Sequence, residues 1–124
     1  MKLLLSTLII TSSVYTANAQ WQQSIGSENL DVQSLLTTNE YDFFGGATGA
    51  YRSSDESATF NFANSGNDSN GPTRGFTSDE TYIYTCTSQG VFRSSNNGEN
   101  WTPKSDGISQ GLSHGIISSG EIIF

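Results

Sequence analysis

Phe92-Arg93-Ser94-Ser95-Asn96-Asn97-Gly98-Glu99-Asn100-Trp101 has a counterpart 41 residues upstream, Tyr51-Arg52-Ser53-Ser54-Asp55-Glu56-Ser57-Ala58-Thr59-Phe60. The agreement extends outward from both stretches. Thr37–Phe60 falls on Ser78–Trp101 without a gap: Tyr41 meets Tyr82, Phe43 meets Tyr84, and Gly49 meets Gly90. A third copy begins near Ile116, where a shift of 40 places Ile122-Ile123-Phe124 on Tyr82-Ile83-Tyr84. A fixed period of this length signals a repeat architecture in which each unit is one supersecondary element stacked on the next.

Within each copy the pattern is that of strands and turns. Thr81–Thr87 is rich in aromatic and β-branched residues, with Tyr82, Tyr84 and Cys86 set to one face by the two-residue alternation of a strand. Ser88-Gln89-Gly90 reads as a turn, Val91–Ser94 as a second strand, Asn96–Glu99 as a tight turn, and Trp101 as the opening of the next strand. A weaker strand precedes each set, at Val32–Thr37, Thr73–Ser78 and Gly115–Ser118. No helical periodicity follows residue 19. The expected class is therefore all-β, with four short strands per copy, a unit that suits the blades of a β-propeller. The low-complexity stretch Asn61–Thr73 reads as a long loop between units.

The two turns resemble the Asp-box, or bacterial neuraminidase repeat, whose pattern is Ser/Thr-x-Asp-x-Gly-x-Thr-Trp/Phe. Ser53, Asp55, Ser57, Thr59 and Phe60 fill it in the first copy, and Ser94, Asn96, Gly98, Asn100 and Trp101 in the second. The side chain of Asp or Asn suits a turn because it accepts backbone N–H bonds from the turn it sits in. Gly supplies positive φ, and the closing aromatic supplies apolar burial. Both copies depart from the pattern: Asn96 replaces Asp, Asn100 replaces Thr, and Ser57 replaces Gly at a cost on the order of 1 kcal/mol. The family includes sialidases, xyloglucan-degrading hydrolases, sortilin-type receptors and many exported bacterial proteins. The resemblance thus implies a propeller in which the motif is a structural device, and leaves activity open.

The N-terminus carries Lys2, a mostly apolar run from Leu3 to Val14, and Ala17-Asn18-Ala19 before Gln20. This is the anatomy of a secretory signal peptide cleaved after Ala19. The run is too short and too often broken by Ser and Thr to span a bilayer stably, so a secreted, periplasmic or cell-surface protein is expected. The expected units are a signal peptide over 1–19, an N-terminal segment over 20–31, repeats over 32–72 and 73–114, and the start of a third over 115–124.

Twelve acidic residues against five basic ones give a net charge of −7. Beyond Lys2 the bases are Arg52, Arg74, Arg93 and Lys104, scattered singly, which argues against nucleic acid as a partner. Cys86, the only cysteine, offers neither an internal disulfide nor a zinc site, and a small buried apolar side chain is the expected role.

A sialidase-like site requires an arginine cluster for the substrate carboxylate and a Tyr nucleophile helped by a Glu. Arg52 and Arg93, however, occupy equivalent repeat positions, as do Tyr41 and Tyr82, while Tyr51 and Tyr84 exchange with Phe92 and Phe43. Residues that recur with the period serve the repeat better than they serve a single site. Arg74 follows a Gly-Pro pair and is expected to face solvent. Glu40, Asp42, Asp79 and Glu80 sit at strand starts, but nothing in the sequence brings two of them together. His114 is the only histidine, and the Asn- and Asp-containing stretch Asn64–Asn70 lacks an EF-hand pattern and reads as a flexible loop. No catalytic, cofactor-binding or metal-binding residue is assigned.

About two and a half blades cannot close a propeller of 4–8 blades, and an open stack leaves strand edges available for self-association. The expectation is a fragment of a larger, non-catalytic exported propeller that binds protein or glycan. The alternative is the N-terminal part of an exported glycoside hydrolase whose catalytic residues lie elsewhere.

Overall fold

The computed structural model describes residues 22–28, 30–67, 71–106, 115–119 and 122–123. The expected signal peptide over 1–19, His114 and Phe124 lie outside them, as do residues 68–70 of the Asn-containing stretch. The described residues contain strands and turns and no helix. In chain order the strands are β1 (Val32–Thr37), β2 (Asp42–Gly46), β3 (Gly49–Ser53), β4 (Asn61–Phe62), β5 (Thr73–Ser78), β6 (Ile83–Thr87), β7 (Gly90–Ser94), β8 (Thr102–Pro103), β9 (Ser118–Ser119) and β10 (Ile122–Ile123).

They form two antiparallel four-stranded sheets, in the orders β1-β2-β3-β4 and β5-β6-β7-β8, and a two-stranded ladder of β9 and β10. The period of 41 survives as register. Phe44 pairs with Tyr51 in the first sheet as Thr85 pairs with Phe92 in the second, and Tyr51 with Phe62 as Phe92 with Pro103. The first strand of each sheet carries the same irregularity, between Val32 and Ser34 and between Thr73 and Gly75. β1 and β5 have the bounds expected from sequence. β6 starts two residues later than expected, because Asp79–Tyr82 closes a turn in which the Asp79 amide donates to the Tyr82 carbonyl at 3.0 Å.

Asn61–Thr73 is not one long loop. Its first two residues pair with Tyr51 and Arg52 as the fourth strand, Ala63 is buried, and Thr73 belongs to β5. Nor is Asn64–Asn67 an unstructured run. The Asn67 amide donates to the Asn64 carbonyl at 2.9 Å, Asn64 Nδ2 donates to the Asn67 carbonyl at 3.0 Å, and Asn67 is buried. Polar composition suggested solvation; the side chains instead satisfy the backbone of their own turn.

The core lies between the two four-stranded sheets. Phe43 and Ala50 of the first sheet meet Phe76, Ile83 and Phe92 of the second, with Trp101 closing one end. The Phe43 and Phe76 rings are 5.8 Å apart and tilted by 44°, as are Phe76 and Trp101 at 6.2 Å and 42°. Leu36 and Tyr41 cover the margin. β2, β3, β5, β6 and β7 thus each put a side chain into this core, and the sheets stack as consecutive copies of the repeat.

Candidate functional site

The motif residues build two superposable turns. In the first, Ser53 Oγ donates to Asp55 Oδ1 at 2.7 Å and accepts from the amides of Asp55 at 3.3 Å and Ser57 at 3.1 Å. Asp55 Oδ1 also accepts the Thr59 amide at 2.8 Å, and Asp55 Oδ2 accepts the Thr59 hydroxyl. In the second, Ser94 Oγ donates to Asn96 Oδ1 at 2.9 Å and accepts the Gly98 amide at 2.9 Å, while Asn96 Oδ1 accepts the Asn100 amide at 2.9 Å. Asn therefore reproduces the backbone bonds of Asp, since the oxygen that accepts them is present in both. What Asn100 lacks is the hydroxyl that Thr59 gives to the acid.

Both turns use two successive left-handed residues: Glu56 and Ser57 at φ +56° and +64°, and Asn97 and Gly98 at +53° and +73°. The closing aromatics fold back onto the segment that leads into their own sheet. The Phe60 amide donates to the Ile25 carbonyl at 2.8 Å, and the Trp101 amide donates to the Ser65 carbonyl at 2.8 Å. The glycines that follow, Gly26 and Gly66, each leave no room for a Cβ against the carbonyl of the same aromatic. This second signature of the repeat, Ile25-Gly26 and Ser65-Gly66, was legible in the sequence at a spacing of 40, with Asp106-Gly107 a further 41 residues on, but no strand pattern draws attention to it.

The charge on the first turn has a measurable consequence. Hydrogen bonds from the Ser53 hydroxyl, then from the Thr59 hydroxyl and amide, hold Asp55 at about 2, below its ordinary 3.8. A folded value below the unfolded one means that the contribution is complete above about pH 4 and is lost as pH falls through the folded value. The Thr59 amide resonance is expected to titrate with a midpoint near about pH 2, and the Asp55→Asn variant to lose that titration. A Thr59 titration unchanged by Asp55→Asn would show the assignment to be wrong.

The arginines fall at equivalent places. Arg52 lies over the Tyr41 ring at 5.1 Å and Arg93 over the Tyr82 ring at 4.1 Å. Arg52 Nη1 also donates to the carbonyl of Asn97 at 2.7 Å, and Asn97 Nδ2 donates to Glu40 Oε2 at 2.9 Å, so the first sheet grips the turn of the second. Among the described residues Arg93 has no such carbonyl. Arg52→Ala is therefore expected to cost about 1.5–3 kcal/mol in denaturant unfolding, and Arg93→Ala distinctly less. Arg74, expected in solvent, is instead half-buried on β5.

The open side of the second sheet carries a groove of about 880 Å³, lined by Asp79, Glu80, Tyr82, Tyr84 and Ser118. A smaller one of about 460 Å³ runs from the same Asp79–Tyr82 turn to Glu40 and Asn97. Within the larger groove Asp79 is fully used. Its Oδ1 accepts the amides of Thr81 and Tyr82 at 2.8 and 2.7 Å, and its Oδ2 accepts the Tyr84 hydroxyl at 3.0 Å. Burial works to raise its pKa, but these bonds and the charge of Arg93 outweigh it and leave Asp79 below the usual range. Tyr84 is pushed up, by burial and then by the bond to Asp79. An acid held ionised and a phenol held protonated form a fixed hydrogen-bonding wall rather than a proton-transfer pair.

Asp42, at the start of β2, accepts the Ser57 hydroxyl at 2.7 Å, and Tyr51 shares a 2.9 Å hydrogen bond with Thr48. Cys86 is fully buried, and that burial raises its pKa, which keeps it a neutral thiol packed in the sheet. Among the described residues no three His, Cys, Asp or Glu side chains gather as a metal site, and no helix is long and apolar enough to cross a membrane. Comparison with protein-family models, with curated proteins and with solved structures finds no match.

Proposed function

We propose that this chain belongs to an exported, non-catalytic β-propeller of the Asp-box type, acting as a scaffold that binds protein or glycan. The observation that carries the reading is the equivalence of side-chain roles in consecutive sheets. The stacked pairs Arg52–Tyr41 and Arg93–Tyr82 recur with the period, as do the two turns. Residues that a sialidase-type mechanism would draw on are thereby spent on packing. A ligand would be met by the aromatic and acidic groove at Tyr82, Tyr84 and Glu80, where ring faces suit sugar C–H surfaces and carboxylates suit hydroxyls or cationic side chains.

The test is to express the full chain with its own leader and to assay the recovered product. Material that begins at Gln20 and binds a glycan or protein array without turning over fluorogenic sialosides or β-glucans supports the reading. Clear turnover of either substrate would replace it with the glycoside-hydrolase alternative, and a retained leader would sink export.

A further inference from the structure

The residues that shape the second turn also make it chemically fragile. Its two left-handed positions are filled by Asn97 and Gly98, at φ +53° and +73°. Asn tolerates that backbone region better than most side chains do, and Phe43 leaves no room for a Cβ at Gly98. The same pair is the one in which a backbone nitrogen most easily reaches the preceding side-chain carbon, because glycine puts no Cβ in the way. Asn is a thermolabile residue on account of this reaction. The equivalent positions of the first turn hold Glu56 and Ser57, which carry no amide to lose. The chain's other Asn-Gly pair is Asn70-Gly71, of which Asn70 lies outside the described residues.

Every group that the reaction needs is engaged in the stacked sheets. The Gly98 amide, the nucleophile, is buried and donates to Ser94 Oγ at 2.9 Å. The side-chain amide, the leaving group, donates from Nδ2 to Glu40 Oε2 at 2.9 Å. The Asn97 carbonyl accepts Arg52 Nη1 at 2.7 Å. The last two contacts come from the first sheet, so the neighbour restrains the chemistry of a turn that is not its own.

We infer that Asn97 is a deamidation site that the contact between the two sheets keeps closed. It reacts when the sheets part locally, and Glu40 and Arg52 protect it while they are together. The Gly98 nitrogen gives its proton to solvent base and bonds to Asn97 Cγ. The Cγ–Nδ2 bond breaks, and Nδ2 takes up a proton and leaves as ammonia. Water then opens the cyclic imide at either carbonyl, giving aspartate or isoaspartate. One water is consumed, one ammonia is released, and nothing is oxidised or reduced. Either product sets a carboxylate against Glu40 where an amide donor stood, and isoaspartate also reroutes the backbone through the side chain. Like charges at that distance repel, so the protecting contact is weakened by the event it prevents. The change is one-way.

The test follows the Asn97 peptide by mass spectrometry in the full chain at mildly alkaline pH, natively and in denaturant. Conversion of amide to acid should be at least about tenfold slower in the native chain. Arg52→Ala should speed native conversion at least about tenfold, since it removes a hydrogen bond from a charged donor. Glu40→Ala, at an exposed residue, frees the side-chain amide without touching the core and should also speed it. Asp55→Ala loosens the first turn but removes no partner of Asn97, and should leave the rate as in wild type. Circular dichroism of each variant checks that the fold persists. Asn97→Asp should lower the denaturation midpoint, and adding Glu40→Gln should restore part of the loss. Native conversion as fast as in denaturant overturns the inference, as does an Asn97 that stays intact in denaturant. A rate that neither Arg52→Ala nor Glu40→Ala raises overturns it too. Equal acceleration by Asp55→Ala would assign the loss to general unfolding and not to this contact.

Discussion

Replacing Trp101 with alanine is expected to cost about 3–5 kcal/mol, the largest loss from any single truncation in this chain. Two effects combine at this residue. Trp101 is 2% exposed and its ring closes the inter-sheet core against Phe76. Its indole N–H donates to the Ala63 carbonyl at 2.8 Å, a buried acceptor that the variant leaves unpaired. For a domain of this size the loss corresponds to a melting temperature lower by about 15 °C or more, readable by calorimetry or near-ultraviolet circular dichroism. Trp101→Phe keeps most of the packing and loses the hydrogen bond, and should fall between wild type and alanine. A drop of a few degrees in Trp101→Ala would mean that the two sheets are not held by this cluster.

The second large effect concerns a single methyl group. Gly98→Ala should destabilise by about 2–4 kcal/mol, from a left-handed backbone together with overpacking. Gly98 has φ +73°, and a Cβ there would lie 2.6 Å from Phe43 Cε1 and 3.2 Å from Trp101 Cζ2. Phe43 is 1% exposed and has nowhere to move. The equivalent residue of the first turn behaves differently. Ser57, at φ +64°, donates its hydroxyl to Asp42, which offsets much of the backbone cost. Ser57→Gly should therefore stay within about 0.5 kcal/mol of wild type, since relief of strain and loss of that bond nearly cancel. Equal costs for Gly98→Ala and Ser57→Ala in chemical denaturation would refute this account.

The contrast between Gly98 and Ser57 shows where sequence reading stops. The sequence marks Ser57 as a departure from the turn pattern, and the left-handed φ is as expected. It does not reveal why the departure is tolerated. The second turn abuts Phe43 of the preceding sheet, which a Cβ at Gly98 would crowd, whereas Ser57 gives its hydroxyl to Asp42 of its own sheet. The same limit applies to Asn61–Phe62 and Asn64–Asn67. Their Asn, Ser and Gly composition resembles a solvated linker, yet their backbone pairs and their side chains close a buried turn. Arg52 and Arg93 are the converse case. Their periodic placement correctly argued for a shared structural role, and only the stacked sheets show that Arg52 also reaches across to Asn97.

By itself, then, the 41-residue period determined the all-β class, the bounds of β1 and β5, and the two turns with their Ser, Asp or Asn, and aromatic positions. These are local facts: alternation, turn chemistry and side-chain hydrogen bonds act within a few residues, and repetition makes them visible. Tertiary structure alone decided which of two equivalent faces is buried, that Trp101 closes the core through Ala63, and that Leu35 stands exposed where Phe76 does not. Burial depends on what is stacked next to a sheet, and a repeat assigns the same residue pattern to a face whether or not a neighbour covers it.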